Sequence, residues 1–210
     1  MCIRDSAIVD NHVTCNGLQN GQISAQVSGG TAPFTYSLDG GMTFQTDSFF
    51  NGLPSGNYSL VVEDAEGCSA MSGAVTIINP PALSVTANIN SVMTCNNAND
   101  AIIHANGFGG TGMLQYSINN GPWQTSTVFD SLAAGFYVLS VQDANGCIQN
   151  APAIQVQNPP VLNFSAQVTQ DVSCFGFNDG VITVNANGGV APLSYSKDGG
   201  SNYQTSNVFN

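Results

Sequence analysis

The chain repeats itself at an interval of 79 to 80 residues. The segment GNYSLVVEDAEGC at residues 56–68 returns as GFYVLSVQDANGC at residues 135–147, with eight of thirteen positions identical. A fixed period of this length indicates an array of small units, each built from the same pattern. Cysteines and an Asn-Pro-Pro tripeptide share this period: Cys15, Cys95 and Cys174, with 79–81 and 158–160.

The recurrence predicts two whole units, residues 7–80 and residues 81–159. Residues 160–210 are predicted to be a truncated third repeat, because they stop in register with Asp130. Residues 1–6, MCIRDS, fit no repeat register, and we interpret them as a non-native or miscalled start. The chain is therefore expected to be a piece of a longer array.

Each unit has the pattern of strands and not of helices. Residues 23–27, 34–38 and 58–62 alternate apolar and polar side chains, as strands with one buried face do. Asn-Gly, Gly-Gly and Asp-Gly pairs separate these segments and favour turns. The pattern predicts an all-β fold of tandem immunoglobulin-like β-sandwich repeats of about 79 residues, joined by stiff Pro-Pro linkers.

The charge of the chain excludes two classes of partner. It has 13 Asp and Glu against 2 Lys and Arg, for a net charge of −11. Nucleic acid and anionic membrane surfaces would repel such a chain, so no nucleic-acid partner is expected. No apolar run approaches the roughly 18 residues of a membrane span, so no membrane insertion is expected.

The repeated segments closely resemble the SprB-repeat family of bacterial cell-surface, gliding-associated adhesins. The resemblance implies a secreted array on the outer cell surface, exported by the type IX route and linked to cell adhesion or gliding motility. It covers nearly all of residues 7–210. The segments that carry it are CNGLQNGQISAQVSGGTAPFTYSLDGG and LPSGNYSLVVEDAEGC in the first unit, CNNANDAIIHANGFGGTGMLQYSINNG and LAAGFYVLSVQDANGC in the second, and CFGFNDGVITVNANGGVAPLSYSKDGG in the third.

Two features that could suggest catalysis are better explained as structure. Residues 107–112 spell G-x-G-x-x-G, but a strand follows where a dinucleotide site needs a helix, so a hairpin turn is predicted. His12 and His104 are not in equivalent positions, and neither has a ligand or acid–base partner at a fixed spacing. No catalytic or cofactor-binding residue recurs, and the chain is predicted not to be an enzyme.

Four polar residues in the repeated turns are candidate calcium ligands: Asp64, Glu66, Asp143 and Asn145. Asp100 and Asp179 could add oxygens from a neighbouring unit. A calcium site needs six to eight oxygens, whereas each turn supplies two or three, and the same residues are also good turn formers. No cofactor is therefore expected, with Ca²⁺ kept as the one candidate.

Three aromatic residues could form a sugar-binding face: Trp123, Phe129 and Tyr203. Phe129 recurs as Phe50 and Phe209, which suggests a core position. An aromatic residue also recurs at the place of Trp123. Packing in the core or at an edge is therefore the favoured interpretation of all three.

The cysteines of the whole units, Cys15, Cys68, Cys95 and Cys147, are disulfide candidates because they stay in register in a chain expected to be extracellular. Pairing within units would join Cys15 to Cys68 and Cys95 to Cys147. In an immunoglobulin-like sandwich those positions lie at opposite ends, about 23 Å apart. We therefore rank an inter-unit Cys15–Cys147 bond slightly ahead of these pairs, because successive units meet head to tail.

The sequence favours a non-enzymatic repeat segment of a large secreted cell-surface adhesin, acting as a stiff multivalent stalk for attachment or gliding. Its expected partners are an extracellular surface or glycan ligand and the neighbouring repeats of the same chain. The alternative is a set of carbohydrate-binding or spacer repeats in a secreted polysaccharide-degrading enzyme.

Overall fold

A computed structural model describes residues 3–210 as three successive units of β-strands, with no helix among these residues. The first unit contains β1 (Arg4–Asn11), β2 (Gly21–Ser28), β3 (Thr35–Ser37), β4 (Phe49–Leu53), β5 (Gly56–Tyr58), β6 (Val61–Glu63), β7 (Ser69–Met71) and β8 (Val75–Ile77). The second contains β9 (Ser84–Ser91), β10 (Ala101–Phe108), β11 (Gln115–Ile118), β12 (Val128–Leu132), β13 (Gly135–Tyr137), β14 (Leu139–Gln142), β15 (Ile148–Asn150) and β16 (Ile154–Val156). The third contains β17 (Asn163–Gln170), β18 (Val181–Asn187) and β19 (Val208–Phe209).

Each whole unit is a sandwich of two three-stranded antiparallel sheets. In the first unit β1-β2-β4 forms one sheet and β3-β6-β7 the other. Strands β5 and β8 form a separate antiparallel pair. The second unit has the same order, with β9-β10-β12, β11-β14-β15 and the β13-β16 pair. The prediction of an all-β tandem array of immunoglobulin-like sandwiches is confirmed. No helix long and apolar enough to cross a membrane occurs among residues 3–210.

The alternation seen in the sequence places one face of each strand in the core. In the second unit Ile103 of one sheet and Leu139 and Val141 of the other are fully buried. Phe129 is 8% exposed and belongs to the same cluster, which confirms its core position. Burial of a side chain of this size contributes about 1.5–3 kcal/mol, so these contacts hold the two sheets together.

The third unit leaves the equivalent face open. Phe164 on β17 is 74% exposed, whereas Val85 at the same position of β9 is 6% exposed. In the second unit this face packs against β14. In the third unit an open cleft of about 520 Å³ lies there, and Leu162 and Tyr195 are among its lining residues. The core of the third unit is therefore accessible to solvent.

The start of the chain is in repeat register, which corrects one sequence expectation. Strand β1 begins at Arg4, before the predicted boundary at residue 7. The side chain of Ile3 lies against Gly30 as that of Leu83 lies against Gly110. The charged residues Arg4 and Asp5 interrupt the apolar pattern of the repeat, so the sequence of this segment did not indicate its register. That residues 1–6 are a non-native start stays a prediction, and residues 1 and 2 lie outside the described residues.

Asp5 occupies the position at which the second unit has the buried Val85. Its Oδ2 atom is buried and has no hydrogen-bond partner. Burial raises the pKa of Asp5 above its ordinary value because the charged form loses water. The carboxylate therefore weakens the edge of the first core.

We expect Asp5→Val to raise the free energy of unfolding of the first unit by about 1 kcal/mol, since it removes an unpaired buried oxygen and adds apolar contact. Urea unfolding near neutral pH measures the change. Asp10→Val is the matched control, because Asp10 lies exposed on the same strand and accepts a hydrogen bond from Ser24. An equal or smaller gain for Asp5→Val than for this control would contradict the assignment.

Candidate functional site

The junctions between units are the candidate functional site, because the repeated polar residues converge there. Three turns contribute: the A–B turn between the first two strands of a unit (residues 12–20 and 92–100), the B–C turn (109–114 in the second unit) and the F–G turn (64–68 and 143–147). The A–B turn of the first unit contacts the F–G turn of the second, and the linker between these units contacts both that A–B turn and the B–C turn of the second unit.

The A–B turn is shaped by hydrogen bonds to one polar side chain. Thr14 N donates to Asn20 Oδ1 at 3.1 Å, and Asn20 Nδ2 donates to Thr14 Oγ1 at 2.7 Å. In the second unit Asp100 replaces Asn20 and accepts from the backbone N–H of Thr94 at 3.0 Å and from its hydroxyl. The turn is thus fixed by either residue, but only Asp100 can titrate.

The hydroxyl and backbone N–H bonds from Thr94 lower the pKa of Asp100, because they favour its charged form. Bonds from Ser173 lower the pKa of Asp179 in the third unit in the same way. Both carboxylates therefore serve their own turn. That either one adds an oxygen to a metal site of a neighbouring unit stays a prediction.

The linker after the first unit is held by that unit's A–B turn. Asn16 Nδ2 donates to the carbonyl oxygen of Pro80 at 2.8 Å. Gly17 N donates to Asn79 Oδ1 at 3.1 Å, across 62 residues of sequence. The first residue of Asn-Pro-Pro is therefore a specific contact, and the Pro-Pro pair is not the sole source of stiffness.

The B–C turn of the second unit holds the other side of the same linker. Gly110 N donates to the carbonyl oxygen of Pro81 at 3.0 Å. Gly109 has a φ of 76°, and a Cβ atom there would lie 1.9 Å from the carbonyl oxygen of Ala82. Only glycine allows this approach. The G-x-G-x-x-G segment thus runs from the end of β10 into a turn that contacts the linker. It is not the predicted hairpin, because β10 and β11 lie in different sheets.

The second junction repeats these contacts with different residues. Asn96 donates to the carbonyl oxygen of Pro159 at 2.7 Å, and Gly189 N donates to that of Pro160 at 3.0 Å. Asn97 N donates to Asn158 Oδ1 at 2.9 Å, and Asn158 Nδ2 returns a bond to Asn97 Oδ1 at 3.0 Å. Two consecutive linkers are therefore hydrogen-bonded from both neighbouring units.

The F–G turns use the carboxylates that the sequence offered as calcium ligands. Asp143 Oδ1 accepts from Asn145 N and Cys147 N, each at 2.9 Å, and Oδ2 accepts from Thr111 N at 2.9 Å. Asp64 accepts three equivalent backbone bonds. Burial raises the pKa of Asp64, but these bonds outweigh that effect and the net shift is downward.

The four calcium candidates lie in two separate turns. Glu66 is exposed, and Asn145 Nδ2 donates to the carbonyl oxygen of Thr14 at 2.9 Å. No group of three or more His, Cys, Asp or Glu side chains is placed to hold a metal ion within residues 3–210. Any cation at Asp64 or Asp143 would compete with the N–H donors already present. Calcium binding stays a prediction.

A disulfide bond joins Cys15 in the A–B turn of the first unit to Cys147 in the F–G turn of the second, with Cα atoms 5.7 Å apart. This is the inter-unit pair that the sequence analysis ranked slightly first. The intra-unit pairs are not formed, because Cys68 and Cys95 are free and exposed. A closed loop of 132 residues stabilises the folded chain by about 5 kcal/mol in a loop-entropy treatment.

The two histidines have no shared role. His12 Nδ1 accepts from the backbone N–H of Ile78 at 3.2 Å, beside the first linker. His104 lies on β10 opposite Val128. Sequence reasoning missed the first contact, and it also missed Asn16 and Asn79. The recurrence of the two asparagines as Asn96 and Asn158 was the available signal.

In the first and third units the recurring aromatic residue lies against a glycine of its own loop. A Cβ atom added to Gly41 would lie 3.6 Å from the Phe44 ring, and one added to Gly200 would lie 3.1 Å from the Tyr203 hydroxyl. Phe44 is 40% exposed, Trp123 37% and Tyr203 67%. Phe44 and Tyr203 thus pack on their own loops, and all three residues keep a solvent-accessible surface.

Acidification is expected to loosen the A–B turn of the second unit and to spare that of the first. Because the folded-state pKa of Asp100 is below its ordinary value of 3.8, its stabilisation is present above about pH 4 and is lost as the pH falls through the folded pKa. An NMR titration would show the Thr94 amide shifting while the Thr14 amide does not. Asp100→Asn should abolish the Thr94 transition, and a Thr14 amide that followed the same curve would contradict this explanation.

Removing the Asn158 side chain should release the second linker. Asn158→Ala deletes two hydrogen bonds with Asn97, each contributing about 1 kcal/mol. Residual dipolar couplings should then show the second and third units aligning less uniformly. Gln157→Ala is the control, because Gln157 is exposed and adjacent. Identical couplings in the two variants would show that Asn158 does not restrict the junction.

Comparison with known proteins agrees with the repeat pattern. The SprB repeat profile matches residues 8–43 and residues 166–202. The two matches lie in equivalent parts of the first and third units and end after the third-strand segment of each. No curated protein matches the chain.

Solved structures with tandem β-domains are similar at low identity. The C-terminal 282-residue fragment of intimin, in complex with the intimin-binding domain of the translocated intimin receptor, is 12% identical over 82% of this chain and 69% of its own, with a TM-score of 0.37. Fibronectin(III)-like modules of Clostridium thermocellum CbhA are 14% identical over 72% of this chain and 94% of theirs, with a TM-score of 0.31. A tetra-tandem repeat from the extending region of a large adhesion protein is 13% identical over 90% and 57%, with a TM-score of 0.29.

Similarities with TM-scores below 0.5 indicate nothing about the function of this chain. The sandwich assignment rests on the strand order of the chain itself. The profile matches and the shared period together identify the repeat. The SprB repeat therefore occurs in the first and third units of this chain.

Proposed function

We propose that the chain is a non-enzymatic repeat segment of a large secreted cell-surface adhesin, whose units form a stiff multivalent stalk for attachment or gliding. The observation that carries this proposal is the linker that both neighbouring units hold by hydrogen bonds, at two consecutive junctions. SprB repeats occur in cell-surface proteins. Type IX export and an outer-surface location are part of the proposal, on the strength of the family resemblance.

A stalk must transmit force without bending at every unit. A flexible linker of three residues would act as a hinge, but here the carbonyl oxygens of Pro80 and Pro81 are bound by different units. The Cys15–Cys147 bond adds a covalent tie at the same junction. These contacts support a rod that projects a binding surface away from its point of attachment.

Multivalency would supply the adhesion. Repeated weak sites raise the overall affinity by raising the effective concentration of each further site, without any single tight site. The proposed ligand is an extracellular surface or glycan, and the neighbouring repeats are the second partner. The absence of nucleic acid and membrane among the proposed partners follows from the net charge of −11.

The structure also favours one second candidate, carbohydrate-binding or spacer repeats of a secreted polysaccharide-degrading enzyme. The observation behind it is the aromatic residue that each unit leaves partly exposed at the same place: Phe44, Trp123 and Tyr203. Aromatic faces of this kind stack on sugars. The two candidates differ in whether a single soluble chain binds a glycan on its own.

The test compares the binding of single chains in solution with the adhesion of many chains displayed together on a bead. The full chain is measured in solution against a panel of immobilised polysaccharides and is also displayed at increasing density on beads. We expect weak binding in solution and bead adhesion that rises steeply with density, because adhesion depends on avidity. Trp123→Ala should change solution binding little.

Saturable binding of the soluble chain that Trp123→Ala abolishes would favour the carbohydrate-binding candidate. Asp130→Ala is the control substitution, because Asp130 is exposed on the adjacent strand β12. Beads that fail to adhere at any density, or polysaccharide turnover by the chain, would contradict the adhesive stalk.

A further inference from the structure

We propose that the A–B turn is a recurring covalent docking site, and that Cys95 and Cys174 each bond the F–G cysteine of a further repeat unit. Cys68 is the matching half, and the partner proposed for it in solution is Cys174 of a second copy. The inference extends the proposed stalk and rests on it only for its biological use. The contacts that carry it are those of the two junctions.

The turn around Cys95 has the geometry of the turn that is already bonded. Leu18 N donates to the carbonyl oxygen of Cys15 at 3.1 Å, and Ala98 N donates to that of Cys95 at 3.2 Å. Asn96 fixes the turn to the linker just as Asn16 does. Cys95 therefore sits in a turn that the structure shows to be competent for inter-unit bonding.

The turn around Cys68 has the geometry of the partner turn. Cys68 N donates to Asp64 Oδ1 at 2.9 Å, and Cys147 N donates to Asp143 Oδ1 at 2.9 Å. Cys68 is exposed and free, as are Cys95 and Cys174. Within residues 3–210 no turn of the other kind lies opposite these three cysteines.

One residue next to the bond provides specificity. Asn145 Nδ2 donates to the carbonyl oxygen of Thr14, which fastens the F–G turn beside Cys147. The first unit has Glu66 at this position, and a carboxylate cannot donate to a carbonyl. Docking through Cys68 thus places two acceptors opposite each other. Glu66→Asn restores the donor.

The bond requires an oxidant, and we specify a low-molecular-weight disulfide, glutathione disulfide. The thiolate of the A–B cysteine attacks it, which gives a mixed disulfide and releases one glutathione thiol. The thiolate of Cys68 then attacks the sulfur of the A–B cysteine and expels the second glutathione. Two protein thiols are oxidised and one glutathione disulfide is reduced to two thiols.

The test uses the full chain with Cys2→Ser throughout, incubated in a glutathione redox buffer and separated on non-reducing gels. We expect covalent oligomers whose peptide maps join Cys68 to Cys174, because the third unit of the same chain already lies against the turn of Cys95. Cys68→Ser should leave only monomer, although two other exposed thiols remain. Glu66→Asn should raise the oligomer yield about fivefold, the factor that one added hydrogen bond supplies.

Oligomers that persist in Cys68→Ser, or maps dominated by bonds between two A–B cysteines, would show random oxidation and overturn the proposal. An unchanged yield in Glu66→Asn, or an unmodified chain that stays monomeric, would overturn it as well. None of these outcomes alters the bead-adhesion experiment, which is run with the free thiols blocked. Failure of the docking site and failure of the stalk are therefore distinguishable.

Discussion

The arrangement of the units depends on the hydrogen bonds that the carbonyl oxygens of the two Pro-Pro linkers accept. Proline has no backbone N–H, so a Pro-Pro pair cannot continue a strand ladder and can only accept hydrogen bonds. The A–B turn of one unit and the B–C turn of the next supply the donors at both junctions. The linker thereby becomes part of both units. Because both junctions fix the approach of one unit to the next, the A–B and F–G turns meet closely enough for a disulfide.

The glycines and asparagines of the turns follow from this constraint. Gly109 and Gly188 lie where a side chain would collide with the backbone of the linker. Asn79 and Asn158 present an amide that can both accept and donate, and the second junction uses both functions. The polar, weakly charged composition therefore has a structural use. Neutral amides satisfy backbone groups at a junction without bringing together the like charges of an acidic chain.

The sequence predicted the sandwich because alternation and turn spacing are local signals, and it ranked the Cys15–Cys147 pair first because strand topology separates the two ends of a unit. It missed Asn16 and Asn79, since a contact across more than 60 residues leaves no local pattern. It suggested Asp64 and Asp143 as metal ligands because an Asp in a turn looks the same in the sequence whether its carboxylate accepts backbone N–H bonds or binds a cation. It placed MCIRDS outside the repeat because Asp5 stands where the repeat has an apolar residue.

The inter-unit disulfide changes the route by which tension passes along the chain. A pull on the two ends crosses from Cys15 to Cys147 through the bond, so the 132-residue loop between them carries no load while the bond is intact. The next A–B cysteine, Cys174, follows 27 residues after Cys147, and Cys95 likewise follows 27 residues after Cys68. If every A–B cysteine bonds the following F–G cysteine, these 27-residue segments and the disulfides form two parallel covalent paths. Each segment contains the last two strands of one unit and the first strand of the next, and the other strands of each sandwich lie outside both paths. Those other strands are therefore protected from direct tension.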